Sequence, residues 1–181
     1  YSIDSILSIS NPNLTSYSPM HYIETLNQVN SSFNPNLLIF GHTYETRDWV
    51  PRLSAKLDVS FISHCTEYSF SEKLSLVRPI YQAKLNQNIE LDSQNAIISF
   101  QAGSCSIEDL ESGSSDINDI AVSLDNINSS IRLGDKFQES SGGVDLTAAE
   151  LIISIGRGIG KEENIPIVQA LADRLNAQIG S

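Results

Sequence analysis

In the first part of the chain, short apolar segments alternate with longer segments in which apolar residues recur every three or four positions. Ser5–Ile9 and Leu37–Phe40 are short segments next to the turn sequence Asn-Pro-Asn, and the second is continuously apolar, like a strand of a parallel sheet. In Pro19–Asn30 and Thr46–Leu57 the apolar residues instead recur every three or four positions, which predicts a helix with one apolar face. The order strand, helix, strand, helix predicts a βαβ unit.

The middle of the chain has a different pattern. Val59–Ile62, Lys73–Leu91 and Ala96–Gln101 are rich in β-branched and aromatic residues, and polar interruptions such as 86–88 predict antiparallel pairing through hairpins. The polar, acidic stretch from 103 to 143 leaves room for one further strand. The sequence therefore predicts an α/β fold, Rossmann-like, with a mostly parallel, partly mixed sheet flanked by helices.

Residues 146–181 follow the order strand, turn, helix. The apolar run Leu151–Ile155 meets the glycine turn Gly156–Gly160, and a helical pattern follows. Glycines permit positive φ and let a ligand approach the backbone, while the N-terminus of a helix favours an anion. The segment therefore has a place for the phosphate of a nucleotide cofactor. Because the spacing is not that of the dinucleotide fingerprint, a purely structural turn is the alternative.

Charge and composition exclude several classes of protein. A net charge of -11 argues against nucleic acid and anionic membrane surfaces as partners, and 40% hydrophobic residues in 181 suffice for a sizeable core. Cys65 and Cys105 are too isolated for a disulfide framework or a zinc site, which indicates a reducing compartment. The chain has no signal-like N-terminus and no apolar run of membrane-spanning length, so we expect neither export nor membrane insertion.

Three stretches resemble the alpha subunits of electron transfer flavoproteins. Residues 146–181, LTAAELIISIGRGIGKEENIPIVQALADRLNAQIGS, resemble the opening strand and helix of their FAD-binding domain, with Gly-Arg-Gly in the turn. Val50–Cys65 and Val77–Leu85 resemble their Pro-Arg-x-Ala-Ala-Lys-Leu and Arg-Pro-Ile-Tyr segments. The chain departs from the family at Ile165, where an aromatic residue is usual, and at Ser99–Gln101, where many members carry Arg-Pro.

The resemblance implies a domain organisation. Residues 1–138 correspond to an N-terminal α/β domain that is incomplete at its start, and 139–145 to a linker. Residues 146–181 correspond to the start of an FAD-binding domain, the first β-α unit of a second doubly wound domain that is incomplete at its end. By this comparison we expect the chain to be a middle segment of a longer subunit, and we do not expect this segment alone to retain FAD.

The resemblance also implies a function. The family's alpha subunit is an electron carrier rather than an enzyme, and it forms a heterodimer with a beta subunit around one FAD. It shuttles electrons from flavin dehydrogenases, such as those of fatty acid β-oxidation, to a quinone reductase, in a bacterial cytoplasm or the mitochondrial matrix. The positions that match its FAD site are Gly156, Arg157 and Gly158. A guanidinium beside a glycine turn can pair bidentately with a diphosphate, and a solvated loop arginine is the alternative.

Two other functions stay open. A free-standing regulatory domain would hold the phosphate of an adenine nucleotide at Gly156–Gly160, without a redox role. A non-catalytic interaction module would use its acidic surface to dock a partner, and the glycine turn would then be structural. Ligand-dependent stabilisation of the chain separates the first from the second.

Other histidine, cysteine and basic residues are candidates for chemistry. His42 follows a strand at the sheet edge where α/β folds bind ligands, so it is a candidate binding residue, with a loop histidine as the alternative. His64 and Cys65 are neighbours on a strand and point to opposite faces, which predicts an exposed imidazole and a buried thiol. Arg52 and Lys56 lie four apart on a helix, where they form either a partner-facing edge or ordinary solvated surface.

The remaining charged residues predict no catalysis. We expect Arg78 to form a local ion pair in its strand and residues 161–163 to be surface residues of a helix's first turn. The carboxylate pairs fall in the acidic stretch, where solvated loop charge is expected, and no general acid or base is assigned: Glu108 with Asp109, and Asp116 with Asp119.

Overall fold

A computed structural model describes residues 3–92, 95–106, 112–127 and 149–180, together with Ile131, Gly134 and Leu146. The chain divides into two compact units, Tyr1–Leu133 and Gly134–Ser181. The predicted linker 139–145 lies outside the described residues, so the domain bounds that depend on it stay a prediction. The carboxylates Glu108 and Asp109 lie outside the described residues as well.

The described part of the first unit contains the strands β1 Ser5–Ile9, β2 Leu37–Gly41, β3 Ser60–Cys65, β4 Glu67–Phe70, β5 Leu74–Ile80, β6 Leu85–Leu91, β7 Ala96–Phe100 and β8 Asp116–Ile120. Its helices are α1 Pro19–Phe33 and α2 Tyr44–Leu57. The described part of the second unit contains β9 Ile152–Ser154, α3 Ile165–Leu175 and β10 Gln178–Gly180. The predicted α/β class is confirmed, since helices flank parallel strands.

The first unit is built around a parallel sheet with the strand order β2-β7-β3. The middle strand β7 is buried on both faces, and successive residues of a strand point to opposite faces. Ile97 therefore packs with Trp49 and Leu53 of α2, while Ile98 packs with Ile62 and Leu76 on the other face. The core thus has two layers, one under the helices and one beneath an antiparallel sheet.

Local signals fix the ends of α2. The Thr43 hydroxyl accepts a hydrogen bond from the Thr46 backbone N–H, and the Thr46 hydroxyl accepts one from the Thr43 N–H, which together form a capping box. At the other end Asp58 adopts the left-handed conformation with a φ of 54°. Asn34 ends α1 in the same way, with a φ of 45°. Aspartate and asparagine tolerate this conformation better than most residues.

The strands β4, β5 and β6 form a separate antiparallel sheet. Its second hairpin turns at Tyr81, Gln82 and Ala83, all three with a φ between 50° and 60°. The predicted interruption at 86–88 is wrong, because these polar residues lie inside β6. The turn itself carries neither glycine nor proline, so the usual sequence signal for a hairpin is missing.

The predicted antiparallel pairing of Val59–Ile62 and Ala96–Gln101 is wrong. The strands in both segments, β3 and β7, pair in parallel, and β7 inserts between β2 and β3. Parallel and antiparallel strands therefore lie in separate sheets. Richness in β-branched residues predicts a strand but says nothing about its direction, which the chain sets by crossing back over the sheet.

The strand expected in the polar stretch is β8, which pairs in parallel with β1. Gln28 of α1 ties the chain after β8 to the helix: its Nε2 donates to the Ser123 carbonyl at 2.8 Å, and its Oε1 accepts from the Ser123 N–H at 3.0 Å. Leu124, one residue further, is buried. This short pair of strands is thereby anchored to the body of the first unit.

In the second unit β9 and β10 pair in parallel and α3 connects them. Ala172 is the one buried residue of the helix. The apolar side chains Ile167, Leu171 and Leu175 are 72%, 50% and 51% exposed. Unlike α1 and α2, this helix leaves much of its apolar surface accessible.

Candidate functional site

The glycine turn of the second unit leaves the end of β9. The N–H of Ile155 donates to the Gly180 carbonyl at 2.8 Å, which extends the strand pairing up to the turn. Arg157–Ile159 then form a 3-10 turn, and Glu162–Asn164 form another before α3 begins. The predicted order of strand, glycine turn and helix is confirmed, because the 3-10 turn Glu162–Asn164 runs directly into α3. Residues 161–163 are exposed at this helix start, as predicted.

The three glycines of the turn differ in how strongly their backbone conformation requires glycine. Gly160 has a φ of 76°, a left-handed conformation that favours glycine, whereas Gly156 has an ordinary φ of -107°. A Cβ added at Gly156 or Gly158 would meet no atom within 4 Å. Neither packing nor backbone conformation of the described chain demands glycine at Gly156, so the missing side chain keeps open space in front of the turn.

Arg157 lies between Gly156 and Gly158, next to this open space. Its side chain is exposed, and it forms no ion pair with any described residue. The backbone N–H groups of Arg157 and Gly158 donate to no other described residue, as expected at the start of a 3-10 turn. Open space, free N–H donors and one guanidinium are the elements that a phosphate or diphosphate requires.

A second cluster forms in the first unit, where the parallel strands end. His42 follows β2, His64 lies near the end of β3, and Ser99 lies near the end of β7. The imidazole rings of His42 and His64 stack with their centroids 4.8 Å apart. His42 Nδ1 is 2.9 Å from the Ser99 hydroxyl, which also accepts from the His64 backbone N–H at 3.2 Å.

His64 has an unusual backbone. Its φ is 63°, and the pairing of β3 with β7 shifts register between Ile62 and Cys65. The bulge turns the imidazole toward His42, so the ring is half-buried rather than exposed as predicted. The Cys65 thiol is fully buried, as predicted, and burial raises its pKa.

Two arginines complete the cluster. A cavity of about 350 Å³ beside the histidines is lined by His42, Arg47, Pro51, Phe61, Ser63, His64, Arg78 and Pro79. Burial, His64 and Arg47 together hold the pKa of His42 below its usual value. Arg78 forms no ion pair with any residue in the described ranges, so the ion pair expected for it is wrong.

The other candidates are accounted for by local contacts. Arg52 pairs with Asp48 one turn earlier at 2.8 Å, and Lys56 pairs with Glu24 of α1 at 2.6 Å. These contacts use both cations within the unit and leave the partner-facing edge unsupported. Asp116 and Asp119 are exposed on β8, in a strand rather than a loop.

Neither a metal-binding cluster nor a membrane-spanning helix occurs among the described residues. No three or more His, Cys, Asp or Glu side chains in this part of the chain come together as a metal site. Likewise, none of the described helices combines the length and the apolar character that crossing a membrane would take.

Comparison with known proteins relates both units to one family. The profile of the electron transfer flavoprotein domain matches residues 1–125. The chain belongs to the electron transfer flavoprotein family. A second profile, that of the electron transfer flavoprotein FAD-binding domain, matches residues 145–181, which include the glycine turn. The recognition of this family from the Gly-Arg-Gly turn and the Arg-Pro-Ile-Tyr segment is thus confirmed.

Several curated relatives of this chain are named alpha subunits of electron transfer flavoproteins. The alpha subunit from Bacillus subtilis is 28% identical over 100% of this chain and 56% of its own length. A probable mitochondrial alpha subunit from Caenorhabditis elegans is 30% identical over 82% of this chain and 44% of its own length. The LctC subunit of an NAD(+),ferredoxin lactate dehydrogenase from Acetobacterium woodii is 21% identical over 99% of this chain. The chain spans about half the length of the curated relatives it matches.

Proposed function

We propose that this chain is part of an electron transfer flavoprotein alpha subunit, an electron carrier that works through FAD and performs no bond-making on a substrate. The observation that carries the proposal is the turn after β9, where Gly156 and Gly158 leave open space beside the guanidinium of Arg157. The family profile that covers this turn is that of an FAD-binding domain.

The residues of the turn fit a flavin dinucleotide. Arg157 supplies a planar fork of donors for the diphosphate, and the N–H groups of Arg157 and Gly158 are unpaired among the described residues. The absence of side chains at Gly156 and Gly158 lets the cofactor approach the backbone. When bound, FAD supplies electron acceptance and donation, and the chain's own residues bind and orient it.

The proposed partners are a beta subunit that completes the FAD site, flavin dehydrogenases as donors and a quinone reductase as acceptor. The compartment is a bacterial cytoplasm or the mitochondrial matrix. The Acetobacterium relative carries NAD(+) and ferredoxin in its name, so reduction by a flavin dehydrogenase should be compared with reduction by NADH. Faster flavin bleaching by the dehydrogenase supports the proposed donor, and bleaching by NADH alone contradicts it.

The test is flavin content of the subunit that contains this chain, co-expressed with a beta subunit. We expect flavin absorbance in the purified complex, and Arg157→Ala should weaken FAD binding by about tenfold or more because a charge-assisted hydrogen bond is lost. Arg174→Ala is the matched control, since Arg174 is also basic and exposed but lies in the last turn of α3.

Two results would contradict the proposal. Equal FAD retention in Arg157→Ala and Arg174→Ala would remove the turn from the cofactor site. A complex without flavin, together with stabilisation of the 181-residue chain by an adenine nucleotide, would instead favour the free-standing nucleotide-binding domain.

A further inference from the structure

The cavity at the carboxyl ends of β2, β3 and β7 collects positive charge in an acidic protein. The chain carries a net charge of -11, yet two of its three histidines and two arginines line this cavity, and no carboxylate lies among its lining residues as described. Crevices at this edge of a parallel sheet are where α/β folds bind ligands. The clustering of His42, Arg47, His64 and Arg78 opposes the charge of the rest of the chain.

Arg78 supplies a second observation. Its Nε is buried and has no hydrogen-bond partner. A buried donor without a partner destabilises the folded state, and such groups in folded proteins call for an explanation. The guanidinium lines the cavity without a carboxylate among the described residues to neutralise it. An anionic acceptor that enters the cavity would neutralise this guanidinium.

Hydrogen bonds to Ser99 hold the two histidines in place. The buried Ser99 hydroxyl contacts His42 Nδ1 and accepts from the His64 N–H, so one side chain fixes both residues. His42 Nε2 makes no hydrogen bond to a described residue and stays available to a ligand. The left-handed backbone of His64 is a strained conformation of the kind that proteins keep at binding sites.

We propose that this cavity binds the phosphate group of inorganic phosphate or of a small phosphate monoester, with Arg47 and Arg78 as the charged donors and His42 and His64 as the imidazole donors. Guanidinium forks match the oxygens of a tetrahedral oxyanion. A volume of about 350 Å³ is at the small end of ligand cavities, which favours a phosphate with a small substituent over a dinucleotide. The site lies within the first unit and does not depend on the proposed FAD function.

His42 makes the binding pH-dependent. The groups that face His42 are Arg47 from α2 and His64 from β3, Arg78 from β5 lines the same cavity, and β7 contributes the uncharged Ser99. Without an anion, burial together with His64 and Arg47 keeps the pKa of His42 below its ordinary value. An anion reverses this effect and draws a proton onto the ring, so binding strengthens as the pH falls.

The experiment is isothermal titration calorimetry of the 181-residue chain at low salt with inorganic phosphate and, separately, phenyl phosphate. We expect saturable binding that Arg47→Gln and Arg78→Gln each weaken about tenfold or more. Arg52→Gln is the matched control, because Arg52 lies on the same helix as Arg47 and already pairs with Asp48. Arg47 is exposed, so its variant tests the site even if Arg78→Gln fails to fold.

The two probes separate the sources of the phosphate group. Tighter binding of phenyl phosphate assigns the site to a phosphate monoester, and binding of inorganic phosphate alone assigns it to the free ion. A pH series with sulfate, whose charge is constant, should show affinity rising from about pH 8 to about pH 5.5, and a His42→Gln variant should flatten this rise. The proposal is overturned if neither phosphate probe binds at millimolar concentration, or if Arg47→Gln binds as tightly as Arg52→Gln.

Discussion

The two units use the same elements, a pair of parallel strands joined through a helix, but they bury them differently. In α2 the side chains of Val50 and Leu53 are fully buried against the sheet. In α3 the apolar side chains of Ile167, Leu171 and Leu175 are half or more exposed, and Ala172 is the one buried residue. Most of a helix's stability in a protein comes from packing its apolar face, so the first unit holds its helices by a core of its own and the second does so to a much smaller degree.

The largest effect expected from this difference is in core truncation. Leu53→Ala should destabilise the first unit by about 2–5 kcal/mol because it opens a cavity in a packed core. Leu171→Ala, the matched change in α3, should cost about 0.5 kcal/mol or less because half of that side chain is already exposed. Urea unfolding followed by the fluorescence of Trp49 reports the first unit, and hydrogen exchange of the α3 amides reports the second.

Equal costs for the two leucines would break the comparison. That result would mean that α3 is covered in solution as fully as α2. A small cost for Leu53→Ala would contradict the packed core under the helices instead.

A medium effect is expected at Gly180, the one glycine among the described residues of the second unit that packs closely. A Cβ at Gly180 would lie 3.1 Å from Leu146 Cδ1 and 3.5 Å from Ile152 Cγ2. Gly180→Ala should therefore destabilise the second unit by about 1 kcal/mol, since its neighbours must move. Gly158→Ala is the control, because its Cβ meets nothing within 4 Å. Hydrogen exchange of β10 measures the first change, and protection unchanged by Gly180→Ala would show that the strand pair is loosely packed.

The smallest effect concerns charged pairs on the helices. The hydrogen bond from Lys56, and then that from Gln28, holds the pKa of Glu24 below its ordinary value. A lowered pKa in the folded state means that the stabilisation is present above the ordinary pKa and is lost as the pH falls through the folded one. Glu24→Gln should thus cost about 0.5–1 kcal/mol at neutral pH and nothing in acid.

Asp173→Asn is the matched variant for this pair. Asp173 accepts from Gln169 one turn earlier on α3, and the pair is exposed. We expect no measurable change in unfolding at any pH. A pH-independent cost of Glu24→Gln would show that the residue contributes packing rather than charge.

Much of the fold could be predicted from periodicity alone. The strand Ser5–Ile9 and the start of α1 at Pro19 were predicted as they occur, because apolar spacing and the Asn-Pro turns act locally. The position of β7 between β2 and β3 could not be predicted, since its neighbours lie far away in the sequence. The turn at Tyr81 escaped prediction because its residues give no turn signal.

The two candidate sites also differ in how far apart their residues lie in the sequence. The turn around Arg157 is a continuous segment, and its glycines identify it directly. The cavity of the first unit gathers His42, Arg47, His64 and Arg78 from four different parts of the fold. Of these, only His42 carried a sequence signal for binding, its place after a strand. The bulge that turns His64 and the role of Ser99 depend on the pairing of β3 with β7.

The two cysteines of the first unit differ in accessibility, so their reaction rates report how often this unit opens. Cys105 is exposed and Cys65 is fully buried with a raised pKa, so a maleimide should modify Cys105 at once and leave Cys65 unmodified in the folded protein. Cys65 then reacts only when β3 separates from its neighbours. The rate of that second modification, measured by mass spectrometry, gives the rate at which the sheet that holds the histidines opens.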